Sequence, residues 1–337
     1  MAFGKVAAAS LVFGILYTIM FVYMCFMYAT KRYKWKSRFT ILFAHAAIRI
    51  ASQACGVAFG VLLWKNLQVF IAYLILGAEG YFSLTIASYY FLRHYELSMF
   101  GKSRLGSLNP TMGTWQRSLA IWTLRPLWAP WKFVRDNCIM IVDSWLIPAN
   151  AIIIAGGSLM AQAISPDANN LSQDKAAELA NTAKGLRTAG QAIFLIITCV
   201  WLLFVLNATR KTVAARLPRI SKLACAVFIV IGLFLLIRGI FGVLQSVVWR
   251  LSYYNDSNYD ANGLSTEFVV LETVLAVMPE FVAAALLNAS WWATREQPEA
   301  IRHYQDEIAT AGGGTKLGGA HESNDFHGNP ETKRLNV

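Results

Sequence analysis

Seven stretches of this chain stay apolar for about 20 residues or more, the length an α-helix needs to cross the hydrocarbon core of a bilayer. They cover residues 7–29, 39–63, 69–92, 138–160, 186–206, 223–249 and 268–292. Lipid offers no hydrogen bonds to a bare backbone, so only helices or closed barrels can cross it. Runs this long without strict alternation read as helices. The fold class that follows is all-α, a polytopic seven-transmembrane-helix bundle over residues 1–295. Only 15% of the 337 residues are charged, against about a quarter in a soluble domain.

Lysine and arginine in the connecting segments set an orientation. Four segments alternate with the spans: the links after spans one, three and five, and the C-terminal tail. Together they hold 22 basic residues, and the opposite side holds six. The bias predicts an outside or lumenal N-terminus and a cytosolic C-terminus. The net charge of +11 then reflects topology and attraction to an anionic leaflet rather than nucleic-acid binding, which would need a basic face on a soluble domain. The sequons at Asn170 and Asn255 fall in the two largest non-cytosolic loops and are candidate glycosylation sites, whereas the sequon at Asn207 falls on the cytosolic side. All five cysteines lie in spans or at their cytosolic ends, which argues against an external disulfide framework.

Residues 296–337 are rich in glycine and scattered charge and read as a cytosolic, largely disordered tail. In the long loop after span three, Trp115, Leu119 and Trp122 share one helical face, and Pro126 and Pro130 punctuate Trp128 and Trp131. The Trp115–Trp131 stretch reads as an interfacial helix on the cytosolic leaflet, or as the dock for a cytosolic partner.

Six ionisable residues lie inside the apolar spans: Arg49, Glu79, Asp143, Arg238, Glu272 and Glu280. Charge at that depth is costly and marks a partner, a water-filled cavity or a ligand. On span two, His45, Arg49 and Gln53 recur at every fourth residue; on span six, Arg238, Gly242, Gln245 and Trp249 form a second stripe. Span four carries Asp143, Asn150 and Gly157 at sevens, and Gly77 and Gly80 on span three allow close helix approach. With spans alternating in direction, Arg49, Glu79, Arg238 and Glu280 share the midplane, Glu272 lies toward the outer end and Asp143 toward the inner. Glu272 and Glu280 stand roughly 80° apart around a regular helix. Pro279 predicts a kink beside them.

Four carboxylates against two guanidiniums leave a remainder to be met by protons, water, hydrogen bonds or a ligand. The binding set expected on these grounds is Arg49, Glu79, Arg238, Gln245, Glu272 and Glu280, with Glu280 foremost. The ligand expected is a membrane lipid or an amphipathic small molecule. A protonated carboxyl among Glu280, Glu79, Glu272 and Asp143 would serve an intramembrane acid–base enzyme on an isoprenoid-like substrate. A seven-helix receptor-like sensor is the third reading. Zinc-protease, nucleophile-elbow, phosphate-loop and Cys-x-x-Cys motifs are missing, so no metal or cofactor is implied and the binding reading stands ahead of the enzymatic one.

Arg238 and Phe241 on span six, with Glu267, Glu272 and Met278-Pro279 around span seven, resemble a fungal family of seven-helix proteins, the lipid-translocating exporter or resistance-to-aminocholesterol family. Gly242 and Gln245 stand where that family carries a second Arg and a Glu. The resemblance covers about 50 residues and extends equally to a related group of fungal seven-helix proteins. It implies action on, or sensing of, an amphiphile such as a long-chain base or sterol-like compound, in the plasma membrane or an endomembrane.

Overall fold

The structure, a computed structural model, describes residues 4–35, 37–62, 66–100, 103–105, 138–163, 173–260 and 263–294. The Trp115–Trp131 stretch, Asn170 and the tail lie outside these residues. Six helices come first: α1 (Lys5–Ala29), α2 (Arg38–Leu62), α3 (Leu67–Phe100), α4 (Cys138–Ala163), α5 (Gln173–Ala214) and α6 (Arg219–Val247). The seventh span is composite. It consists of α7 (Thr266–Glu272), a π turn (Thr273–Val277) and α8 (Met278–Thr294). All seven spans are long and apolar enough to cross a membrane.

Polar and apolar residues are distributed as lipid demands. Leu11, Val12, Ile15, Ile19, Val22 and Phe26 of α1 are exposed along one face, while Arg49, Ser52, Gln53, Arg238 and Glu280 are buried. In water such an arrangement would be unstable; in a bilayer the exposed aliphatic belt faces acyl chains.

Two helix ends show how the basic links stop their spans. After α1, Lys31 takes a left-handed φ of 57°, its N–H donates to Tyr28 O, and Arg32 N–H donates to Met27 O. After α5, Arg216 has φ 51°, its N–H donates to Val213 O, and Leu217 N–H reaches back to Thr212 O. Both are Schellman closures with a cation in place of the usual glycine, and the positive charge complements the negative end of the helix dipole. Pro218 then opens α6 from its N-cap.

Neighbours in sequence pack as neighbours in space, and α3 also touches α5, α6 and α8, which places it at the centre. At one end of the bundle the beginnings of α1, α3, α5 and α7 meet the ends of α2 and α4, so the spans run antiparallel. Val6, Phe59, Phe70, Met160, Ala183 and Phe268 form the cluster there. A cap between α6 and α7 closes this end. It is built from 3-10 turns Trp249–Leu251 and Asp256–Asn258 and a hairpin, β1 (Tyr259–Asp260) with β2 (Gly263–Leu264). Asn258 ties the cap together, donating to Arg250 O at 2.9 Å and Ser252 O at 2.8 Å. Lys5 pairs with Asp260 at 2.7 Å and fastens α1 to the hairpin.

Two sequence expectations change, and a third gains detail. The helix α5 begins at Gln173, so Arg187, counted among the basic residues of the outer side at the very edge of the expected span 186–206, lies well inside the helix. Trp249 was expected on the buried stripe of α6, but that helix ends at Val247 and Trp249 is 50% exposed. Next to Pro279 the helix widens into a π turn. A π turn bonds one residue further along and so tolerates a missing donor.

Candidate functional site

Glu280, on the first turn of α8, is 1% exposed and lies between two guanidiniums. Arg238 of α6 donates from Nε to Glu280 Oε1 at 2.5 Å. Arg49 of α2 brings its terminal nitrogen to 3.2 Å from Glu280 Oε2, as an ion pair without hydrogen-bond geometry. Aromatic rings complete the seat. The Arg238 guanidinium stands over the Tyr81 ring at 4.9 Å, and the Arg49 guanidinium over the Tyr17 ring at 5.7 Å. Glycines make the room: a Cβ at Gly80 would overlap Arg49 Cδ, and one at Gly242 would overlap the Gln191 side chain and approach Arg238.

Above this trio opens a cavity that leads toward the cap. It holds about 100 Å³ of room for water-molecule centres, where one water needs about 10–15 Å³. Arg49, Arg238, Glu272 and Glu280 line it together with Arg187 of α5, so three guanidiniums face two carboxylates. Gln191 and Gln245 add amides, while Ile71, Leu74 and Ile75 of α3 face Ile153 and Ile154 of α4 as an apolar wall. Tyr253 and Tyr254 of the cap complete the lining.

Glu272 is placed by the π turn. On a regular helix it would stand roughly 80° from Glu280; the extra residue absorbed by a π turn reduces this to about 20°. Both side chains therefore reach one cavity. Tyr73 donates its hydroxyl to Glu272 Oε1 at 3.0 Å. A smaller cavity behind this pair, lined by Ser10, Phe13 and Gln53 among others, also touches Tyr73 and Glu272.

The remaining sequence candidates divide. Gln245 lines the cavity. Glu79 lies outside the lining, its Oε1 accepting from Asn150 Nδ2 at 2.5 Å, which joins α3 to α4. Asp143 is also outside it. Asn255 sits in the cap, where its Oδ1 accepts from Ser257 N–H at 3.1 Å. His45 of the α2 stripe has Nδ1 2.9 Å from Gly80 O and 3.0 Å from Ser83 Oγ, a pairing that fixes α2 on α3. Gly77 meets no neighbour within 4 Å of an added Cβ. It lines the cavity instead of serving as a helix contact.

Sequence reasoning missed Arg187, Gln191, Tyr73 and Tyr254. The first two had a signal: Arg187, Gln191, Phe194 and Thr198 recur at helical spacing on one face of α5. Arg187 lies 5.2 Å from the centre of the Tyr254 ring, and Tyr254 donates its hydroxyl to Gly157 O at 3.2 Å. Burial raises the Tyr254 phenol above its usual pKa while Arg187 pulls the other way, so near neutral pH the hydroxyl stays protonated as a donor. Family models, curated proteins and solved structures were all compared with this chain, and none matches.

Proposed function

We propose that this multi-pass membrane protein binds an amphipathic, lipid-like small molecule in the cavity between Glu280 and the cap, and moves it between bilayer and aqueous phase. One observation carries the reading. Within the membrane-spanning bundle, a single cavity sets an aliphatic wall against a cluster of charges and amides. A hydrophilic solute has no use for that wall, and an apolar one leaves the charges unmatched. The helix α4 packs mainly on α5 and lightly on α3, which is where a chain from the bilayer would enter. The similarity of Arg238, Phe241 and Met278-Pro279 to lipid-translocating exporters supports the same class of ligand. The basic links support an orientation with the cap on the non-cytosolic side.

The test compares metabolites in cells and medium of a wild-type strain, a deletion strain and a Glu280→Gln strain, with monodispersity of the variant checked. Translocation predicts that the same amphiphile shifts between cells and medium in both altered strains. Accumulation of a precursor with loss of a mass-related product would identify an enzyme and overturn the proposal. An unchanged metabolite distribution alongside loss of a cytosolic partner would identify a receptor.

A further inference from the structure

The cavity contains more positive than negative charge, and the surplus is concentrated on Arg187. Of its three guanidiniums, Arg49 and Arg238 share Glu280. Glu272 is engaged by the Tyr73 hydroxyl. Arg187 has no carboxylate partner among the described residues; an aromatic ring is what it faces. A ring face attracts a cation but does not neutralise it.

Unused hydrogen-bonding capacity points the same way. Arg238 Nη1, Arg49 Nε and Gln245 Nε2 are buried donors without partners, on residues that line the cavity. The unpaired Gln191 atom is the amide oxygen, and an amide can present either end. Arg49 and Arg238 are 4% and 8% exposed, so their idle N–H groups are not satisfied by bulk water.

From this geometry we infer that the ligand of this cavity is an amphiphile with an acidic head, a carboxylate or phosphate monoester, held by Arg187 with Arg238 and the two glutamine amides, its tail lying along the Ile71–Ile75 and Ile153–Ile154 wall. The inference rests on the amphiphile reading above and adds the sign of the head. An oxyanion presents several acceptor lone pairs and one or two negative charges, which suits three forked cations set against two carboxylates. An ammonium head would bring a fourth cation and three more donors to a site where Arg49 Nε, Arg238 Nη1 and Gln245 Nε2 already lack acceptors. The unmet acceptors there are Gln191 Oε1 and Glu280 Oε2, and the Ser52 hydroxyl can serve either way.

Purified full-length protein in a neutral detergent would be titrated with dodecanoate, dodecyl phosphate, dodecylamine, acetate and inorganic phosphate, binding being followed by calorimetry and thermal stability. The expected result is that one or both tailed acids bind more tightly than dodecylamine by a factor of about 10 or more, since juxtaposed like charges cost several kcal/mol. Acetate and phosphate should bind far more weakly. Arg187→Gln should reduce the preference for acid over amine at least about fivefold, while Arg187→Lys retains the sign of that preference. Dodecylamine binding as well as the acids would overturn the acidic head and leave the amphiphile reading intact. Tail-less anions binding as well as tailed ones would overturn the amphiphile reading and leave an anion site. If nothing in the panel binds, both fall.

Discussion

Gly80 of α3 lies so close to the Arg49 side chain of α2 that an added Cβ would overlap Arg49 Cδ and stand 3.1 Å from one terminal nitrogen. The absence of a side chain at 80 is therefore part of the ion-pair site. Gly80→Ala should destabilise the protein by about 1–3 kcal/mol, the usual cost of overpacking. Gly77→Ala one turn away meets no atom within 4 Å, and should be neutral or stabilising by up to about 1 kcal/mol through helix propensity. Unfolding of both variants in mixed micelles checks the pair. Equal effects would show that Arg49 has room to move aside.

The two arginines on Glu280 predict an unequal response to substitution. Glu280→Gln leaves two buried guanidiniums without a counter-charge, so the expected loss is about 3–5 kcal/mol, as for other broken buried pairs. Arg49→Met leaves the 2.5 Å bond from Arg238 to Glu280 intact and should cost less. Equilibrium unfolding gives the order directly. A Glu280→Gln loss below about 1 kcal/mol would mean that water reaches the trio and screens it.

Hydropathy gives seven spans because a bilayer imposes length and apolarity on every crossing, and the charges inside those spans stand out for the same reason. Arg49, Arg238, Glu272, Glu280 and Gln245 do line one cavity. Their partners were not legible locally: Arg238 meets Glu280 across 42 residues and Tyr73 meets Glu272 across 199. Arg187 was hidden because it is the second residue of the apolar run and reads as a flanking charge of the outer side, whereas α5 begins 13 residues before Leu186, at Gln173. Tyr73 was hidden because a tyrosine does not interrupt an apolar run, and Tyr254 because it lies in the link between spans six and seven, which hydropathy leaves unplaced. Pro279 drew attention to the right turn, but a missing donor does not say whether the backbone bends or widens. The wider turn brings Glu272 and Glu280 to one side.

Tyr73 touches both cavities and holds Glu272 by one hydrogen bond. Bonds to charged groups contribute about 1.5–3 kcal/mol, so Tyr73→Phe should cost an amount in that range. A double-mutant cycle with Glu272→Gln isolates the contact, with an expected coupling of about 1 kcal/mol or more. Additive effects within about 0.5 kcal/mol would place the two side chains out of contact in solution.

The orientation has a direct readout in the sequons. With the cap outside, Asn255 sits half-buried in a turn where its side chain accepts from Ser257 N–H. Asn207 instead lies within α5 with its side-chain nitrogen buried. Asn255→Gln and Asn170→Gln should each remove one glycosidase-sensitive step in electrophoretic mass, and Asn207→Gln none. The proposed orientation places the basic excess beyond α1, α3 and α5 on the cytosolic side, where lysine and arginine next to a span are ordinarily retained. An electrophoretic mass unchanged by the Asn170→Gln, Asn255→Gln double substitution, with loss of one step on Asn207→Gln, would invert the bundle. The cavity mouth and Arg187 would then open to the cytosol, and any translocation would run from the opposite face.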